Sequence, residues 1–384
     1  MSDLPPDPNR ESIPLLLARP ATLRPGRKTV PPAGGGGERP RRSMRVASAR
    51  VETTGKMGTL RSWLGSAGIL LAALLVLCAI FADMLASDLP IACNIHGHVT
   101  LFPNVTQPAD LVALGADGIA REAAWKVDAL VKHGPGGSVA RTASTGTSNT
   151  SAPSLAAPPA AGHPFGTDRY GRDVFARTVH GTRTYLVFAS GAVFAALLLG
   201  GLLGAIAGLF GGGADALVGR AVETVSAFPP LVLVLGIQAA VPQATVMTLF
   251  LSIALTRWPE IARLVRAEVM QIVTRDYVMA ARALGASPFR VLRKHVAPNI
   301  RGQLVVLGAL GLPGVILIEA SLDFLRVSAP MGAATWGETM SEFRDAHGAW
   351  WLLAFPGAFL ALTVVALTLV AEARRDSLDP RSGG

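Results

Sequence analysis

The strongest constraint on this chain is the recurrence of apolar segments of membrane-crossing length. Six can be marked, at Leu64–Leu85, Tyr185–Phe210, Val222–Ala240, Gln243–Trp258, Leu304–Phe324 and Trp351–Ala371. An α-helix needs about 20 apolar residues to cross the hydrocarbon core. In lipid only helices and closed barrels satisfy their own backbone. Composition agrees, because the 384 residues are 50% hydrophobic and only 16% charged, against about 25% charged in ordinary soluble domains. The expected fold is an all-α integral membrane protein with six transmembrane helices. Pro229-Pro230 falls inside the third segment, a break that a membrane helix tolerates when neighbours satisfy the freed backbone groups.

The placement of charge sets the orientation. Residues 1–61 carry twelve Lys/Arg against five Asp/Glu and are rich in Pro, Gly and Arg. Such a stretch buries too little apolar surface to fold alone and reads as a basic, disordered cytoplasmic tail. The connection 257–301 has nine Lys/Arg against three Asp/Glu, while 326–350 has two against three. Basic loops stay in the cytoplasm, so the first connection is expected inside and the second outside, with both termini inside. The connection 86–184 is balanced, with eight basic and seven acidic residues, and long loops follow the rule less strictly. The expected organisation is a tail over 1–61, a first span within 62–86, an external insert and low-complexity linker over 87–162, a five-helix core over 163–372 and a cytoplasmic tail over 373–384.

Several functions are excluded or disfavoured. Cys78 and Cys93 are the only cysteines, so no disulfide framework or thiolate cluster is implied. His96 and His98 flank a glycine without carboxylate or thiol neighbours, which suits a solvated loop, and no metal site is expected. Gly55-Lys56 is followed by Met57 rather than Ser or Thr, so it is no phosphate loop and the chain has no ATP site of its own. No Ser/His/Asp, HExxH or CxxC arrangement is visible, and no catalytic residue is assigned. The basic tail has almost no aromatics for stacking on bases, which argues against nucleic acid. Asn104-Val105-Thr106 and Asn149-Thr150-Ser151 match a glycosylation pattern that arises often by chance.

Within the spans, Gly200, Gly204 and Gly208 lie four apart on one helix face. Small residues at that spacing let helices approach backbone to backbone in lipid. Glu223 and Glu319 are the candidates for lining a solute pathway. A charge at the bilayer centre costs roughly 2.5–3.5 kcal/mol on insertion scales, so neither is expected to face lipid; local hydrogen bonding near the span ends is the plainer reading. So few ionisable groups argue against a proton-coupled carrier.

The stretch "YVMAARALGAS" at 277–287 is different in kind. Tyr277, Ala280, Ala281 and Leu284 share one helical face. Asp276 stands near the helix start, where the macrodipole favours it, and Gly285 fits the left-handed position that ends a helix. After Ala286, Ser287-Pro288 can open a second helix as N-cap and first residue. The result is a helix-turn-helix knob with a small-residue face. An ordinary basic loop on lipid headgroups is the alternative reading of the spacing alone.

"YVMAARALGASPFRVLRKHVAPN" resembles the cytoplasmic loop of ABC-importer permeases, patterned E-A-A, three residues, G, nine residues, I-x-L-P. Ala280, Ala281, Gly285 and Pro298 fall on matching positions; Met279, His295 and Ala297 stand where that family has Glu, Ile and Leu. "HPFGTDRYGRDVFARTVHGTRTYL" at 163–186, "FGGGADALVGRAVETVSAFPPLVLVL" at 210–235, "TWGETM" at 335–340 and "RRDSLDPR" at 374–381 are similar to segments of the dipeptide/oligopeptide/nickel group of these permeases. The resemblance implies the C-type permease subunit of an ATP-driven importer in a bacterial inner membrane. It implies a second homologous permease, two cytoplasmic ATPases that carry the ATP, an external binding protein and surrounding lipid as partners. The knob at 277–287 would be the coupling helix. Asp168, Arg172, Asp173 and Arg177 alternate in charge in a way compatible with a helix on the outer surface. They read either as an ion-pair network or as a contact for the binding protein or partner permease. A self-sufficient carrier or channel is the competing class, and it needs no docking knob.

Overall fold

The computed structural model describes residues 63–136, 156–243, 245–328 and 334–378. The basic tail, most of the low-complexity linker, Asn149–Ser151 and the end of "RRDSLDPR" lie outside the described residues. The long helices are α1 (Trp63–Ile80), α3 (Val174–Phe210), α6 (Val246–Val273), α8 (Pro288–Phe324) and α10 (Trp351–Leu378). Two shorter ones, α4 (Gly212–Ser226) and α5 (Pro230–Ala240), join α3 to α6. Among the described residues four helices, α1, α3, α8 and α10, are long and apolar enough to cross a membrane, and α4 with α5 makes a fifth if the bent pair is one span.

Three segment expectations change. The third apolar segment is not one straight helix but two, bent by 88°. The cause is local: a residue before proline is pushed out of the helical region, and Pro229, standing before Pro230, sits at φ −57°, ψ 133°. The fourth segment is the beginning of a 28-residue helix, α6, that runs on to Val273. Arg257, Glu260 and Arg263 make its apolar run end early without ending the helix. α3 begins eleven residues before the apolar run does, capped by the Asp173 carboxylate, which accepts from the Ala176 N–H at 2.7 Å.

α3 and α6 run parallel, and glycine decides how closely. A methyl group added at Gly200 would stand 2.6 Å from the Trp258 carbonyl, at Gly204 2.4 Å from the Ala262 carbonyl, and at Gly208 2.8 Å from the Arg266 carbonyl. The stripe anticipated from the four-residue spacing is thus a backbone-to-backbone seam. α8 crosses the other side of α3 and runs antiparallel to it, with Gly308 against Leu197 and Gly311 against Val193. α1 runs antiparallel to α10, Gly65 lying on Ala373 and Gly68 on Leu369. α5 is tied to α6 by a buried amide, Gln238 donating to Ser252 Oγ at 3.0 Å, the kind of polar contact that helps hold helices together in lipid.

The two ends of the bundle differ. At one end, a small insert follows α1. Strands β1 (Ala92–Ile95), β2 (His98–Leu101) and β3 (Ala123–Val127) form an antiparallel sheet in the order β2-β1-β3. Helix α2 (Ala109–Glu122) covers one face through Leu111 and Ile119 on Cys93. Among the described residues the elements outside this sheet are helical, apart from isolated bridges. The insert is held down by Asn104 donating to the Asp83 carbonyl at 2.8 Å, and Arg183 of α3 pairs with the Asp83 carboxylate at 2.8 Å. At the opposite end lies α7 (Asp276–Ala283).

The seam makes a direct prediction. Overpacking a tight core costs roughly 1–3 kcal/mol, and at Gly204 the obstacle is backbone, which cannot turn aside. Gly204→Ala is expected to lower the detergent melting temperature measurably, whereas Gly201→Ala, which meets nothing within 4 Å, leaves it unchanged. Size-exclusion fluorescence after heating reads both.

Candidate functional site

The knob at the α7 end is built as its sequence suggested. α7 closes with a double turn in which Ala286 N–H donates to the Ala281 carbonyl at 3.0 Å and Gly285 N–H to the Arg282 carbonyl at 2.9 Å. That pair of bonds needs a left-handed residue between helix and exit, and Gly285 supplies it at φ +86°. Ser287 then caps the next helix, accepting from the Arg290 N–H at 3.3 Å, with Pro288 in its first turn. α8 continues from there through a π turn over Leu292–Val296.

The knob is anchored from beneath and bare on top. Val278, Val291, Val296 and Ile300 are buried together with Ile272 at the end of α6. Leu284 is 89% exposed and Phe289 70%. Tyr277, Ala280, Gly285 and Pro298 are also exposed, with Ala281 and Ala286 half-buried and Asp276 at the first turn. An apolar apex on a rigidly based turn suits insertion into a groove of another protein. His295 keeps a role in the absence of the family's Ile: its ring lies 5.8 Å from that of Tyr277, tilted by 51°.

The alternating charges at the other end are not on an exposed helix. Positive-φ glycines at 166 and 171 fold residues 166–173 into a turn ahead of α3. Asp168 is fully buried there. It accepts from the N–H groups of Tyr170 and Arg172, each at 2.8 Å, and pairs with Arg172 Nε at 2.5 Å. Arg172 reaches on to Glu342 at 2.7 Å, and Arg177 to Glu338 at 3.0 Å and Thr339 at 3.1 Å. Asp173 caps α3 and also meets His163 Nδ1 at 2.7 Å. The four residues therefore lock the turn before α3 to helix α9 (Trp336–Ser341) and the single 3-10 turn after it. Trp336 completes the lock. It is fully buried, stacks on Tyr185 at 4.6 Å, donates to the Thr178 carbonyl at 2.8 Å and lies over Gly181. Sequence reading found one side of this network and missed Glu338 and Glu342. Their spacing of four beside the "TWG" turn was the available signal.

Glu223 and Glu319 are not brought together. Glu223 is exposed on α4, one turn before the bend. Glu319 is fully buried in α8, and neither carboxylate oxygen has a hydrogen-bond partner among the described residues. Asp323, one turn on, accepts from the Tyr185 hydroxyl at 2.9 Å. Among the described residues no group of three or more His, Cys, Asp or Glu is arranged to hold a metal ion.

One group in the network titrates near neutrality. Burial, reinforced by the Asp168 carboxylate, pushes Glu342 up from 4.5 to about 7, against the pull of Arg172 and Arg177. A carboxyl whose folded pKa is raised takes up a proton on folding. Its contribution is full below pH 4.5 and is lost as pH rises through about 7. The melting temperature is expected to fall between pH 5 and pH 8, and Glu342→Gln to flatten that fall, as read by melting in detergent across the range.

Comparison with known proteins agrees with this geometry. Residues 200–383 match the family described as the binding-protein-dependent transport system inner membrane component. The chain is 34% identical over 202 residues to the oligopeptide transport system permease protein OppC of Bacillus subtilis, covering 52% of this chain and 66% of that one. A protein of Brucella ovis named as a peptide permease is 36% identical over 208 residues, 53% of this chain and 68% of its own. The dipeptide transport system permease protein DppC of Bacillus subtilis is 35% identical over 206 residues, 53% and 64%. The match thus spans about two thirds of the length of these relatives. The family match takes in the glycines and α6 of the seam, the knob and the Trp336–Glu342 side of the network. The chain, 36% identical to a peptide permease that it covers to 68%, belongs to the family of inner-membrane permease components of binding-protein-dependent transport systems, and is a multi-pass membrane protein of the ABC peptide-permease kind.

Proposed function

We propose that this chain is one permease half of an ATP-driven importer of peptides, coupled through 277–287 to ATPases on separate chains. The observation that carries this reading is the exposed knob, with Leu284 at its apex and its base buried against the end of α6. A carrier working alone has no use for an apolar, stiffly mounted projection outside its bundle. The names of the relatives, oligopeptide and dipeptide permeases, supply the solute class.

In this reading the α7 end lies in the cytoplasm, as nine basic residues against three acidic ones over 257–301 favour. The insert lies outside. Six crossings follow when α6 and the bent α4–α5 pair both count as spans, with both termini inside. A second, homologous permease completes the pathway, two ATPases dock, one on each permease, and bind ATP, and a solute-binding protein delivers peptide at the insert end. This chain binds no cofactor. Nucleotide-driven closure of the ATPases pushes on α7, and α6, seamed to α3, carries the push into the bundle.

The test is substitution at the knob. Leu284→Asp removes the apex without touching buried groups. Copurification of ATPase subunits from the native membrane is expected to drop roughly tenfold or more, as for a central interface anchor, with insertion intact. Gly285→Leu forces a side chain into the left-handed region, at roughly 1–2 kcal/mol, and is expected to uncouple peptide uptake from ATP hydrolysis. Normal uptake in both variants would contradict the proposal.

A further inference from the structure

A cavity of ≈ 400 Å³ opens between α6 and α8, over buried Val193 and Ala196 of α3. Leu310 and Gly311 form one wall. The other wall carries Arg257, Glu260 and Arg263, spaced three apart along α6. Its volume is within the range of small-molecule sites, about 300–1,000 Å³.

The depth of these charges is notable. Arg257 is eleven residues into α6, which at 1.5 Å per residue is about 17 Å from the helix start. The hydrocarbon core is about 30 Å thick, so in the reading that counts α6 as a span Arg257 falls within it. An ionisable side chain at that depth faces a bundle interior or a water-filled space and marks a solute path. Arg257 is partly covered and pairs with Glu260 at 3.4 Å, while the Glu260 side chain is 64% exposed. So exposed a pair contributes little to stability.

The wall opposite is shaped for the guanidinium. A methyl group at Gly314 of α8 would stand 2.3 Å from an Arg257 terminal nitrogen. With glycine there, the guanidinium lies directly against the α8 backbone. Each helix carries a proline close in sequence to this contact, Pro259 in α6 and Pro313 in α8. Each leaves the carbonyl four residues earlier, Leu255 and Ala309, without its helical N–H.

Resting on the permease reading above, we propose that this cavity is a peptide subsite of the pathway, in which Arg257 receives the solute's carboxylate and Glu260 its ammonium group. The pairing fits the solute's chemistry. A guanidinium presents a planar fork to a carboxylate, and a short peptide carries one charge of each sign at its ends. Two or three extended residues span roughly 7–11 Å, so the 3.4 Å Arg257–Glu260 pair opens as the two ends of the peptide engage it. Arg263 lies two turns further along, beside Ser226, to which it donates at 3.2 Å. It marks the direction of travel toward the α7 end.

The experiment uses the complex purified from its native membrane and reconstituted with its binding protein in lipid vesicles. Uptake of Ala-Ala, its C-terminal amide and its N-acetyl form is measured in wild type, Arg257→Gln and Glu260→Gln. The ratio of variant to wild type for each peptide cancels any preference of the binding protein. Arg257→Gln is expected to reduce Ala-Ala uptake roughly tenfold or more relative to its effect on the amide, with ATP hydrolysis and copurifying subunits retained. Glu260→Gln is expected to spare the N-acetyl form in the same way. Equal loss for all three peptides would overturn the subsite and leave the importer reading standing. A wild-type complex that moves none of them would overturn both. Independently of any binding protein, Leu310→Cys in a background with Cys78 and Cys93 replaced by Ser is expected to react with a water-soluble cationic thiol reagent and to be protected by Ala-Ala. Absence of labelling would also overturn the proposal.

Discussion

The seam between α3 and α6 is the contact on which the rest of the molecule depends. Lipid supplies no hydrophobic force to hold two helices together, so their attachment rests on close packing. Gly200, Gly204 and Gly208 provide it by bringing the α3 backbone against the carbonyls of Trp258, Ala262 and Arg266. The contact repeats once per turn over three turns, which fixes rotation as well as distance. With α6 fixed, Arg257 and Glu260 point into the space beside α8, and Val273 delivers the chain to α7 at the end of the bundle. One helix thus carries both the charged wall of the cavity and the base of the knob.

The opposite end is fixed by polar chemistry. Asp168, buried without water access, is satisfied by two backbone N–H groups and an arginine. Buried charges are tolerated when paired and hydrogen-bonded. The same network reaches Glu338 and Glu342 beyond α8, and Trp336 closes it over Gly181. Its effect is to join the start of α3 to the connection between α8 and α10. The charged residues before α3 accordingly build the platform on which the bundle's end rests, and the exposed carboxylate of Glu338 is the part of it that solvent or another protein can reach.

Features set by local rules were readable in the sequence. The four-residue glycine repeat, the left-handed glycine after α7 and the Ser287-Pro288 start each depend on a few neighbouring residues, and each stands as expected. Features set by competition between rules were not. Hydropathy ended the fourth segment at Trp258, while helix propensity and packing on α3 carry the helix to Val273. Two adjacent prolines were expected to be absorbed, yet the backbone restriction they impose bends the chain by 88°. The alternating charges over 168–177 were compatible with a surface helix or an ion-pair network; two positive-φ glycines turn the part before α3 into a loop, and the charges pair as a network. The cavity was not visible at all, because its walls come from helices some fifty residues apart in sequence, Arg257 facing Gly311.

The central claim is that α6 moves with α3 as one body and transmits displacement of the knob. The most direct test is a spin-label distance across that unit in the assembled complex. Labels at Phe210 and Arg282, both exposed, report whether the end of α3 and the knob keep their separation through the nucleotide cycle. The account predicts the same narrow distance distribution with and without ATP. A shift or a second population on ATP binding would show that the knob swings independently of the seam, and would contradict it.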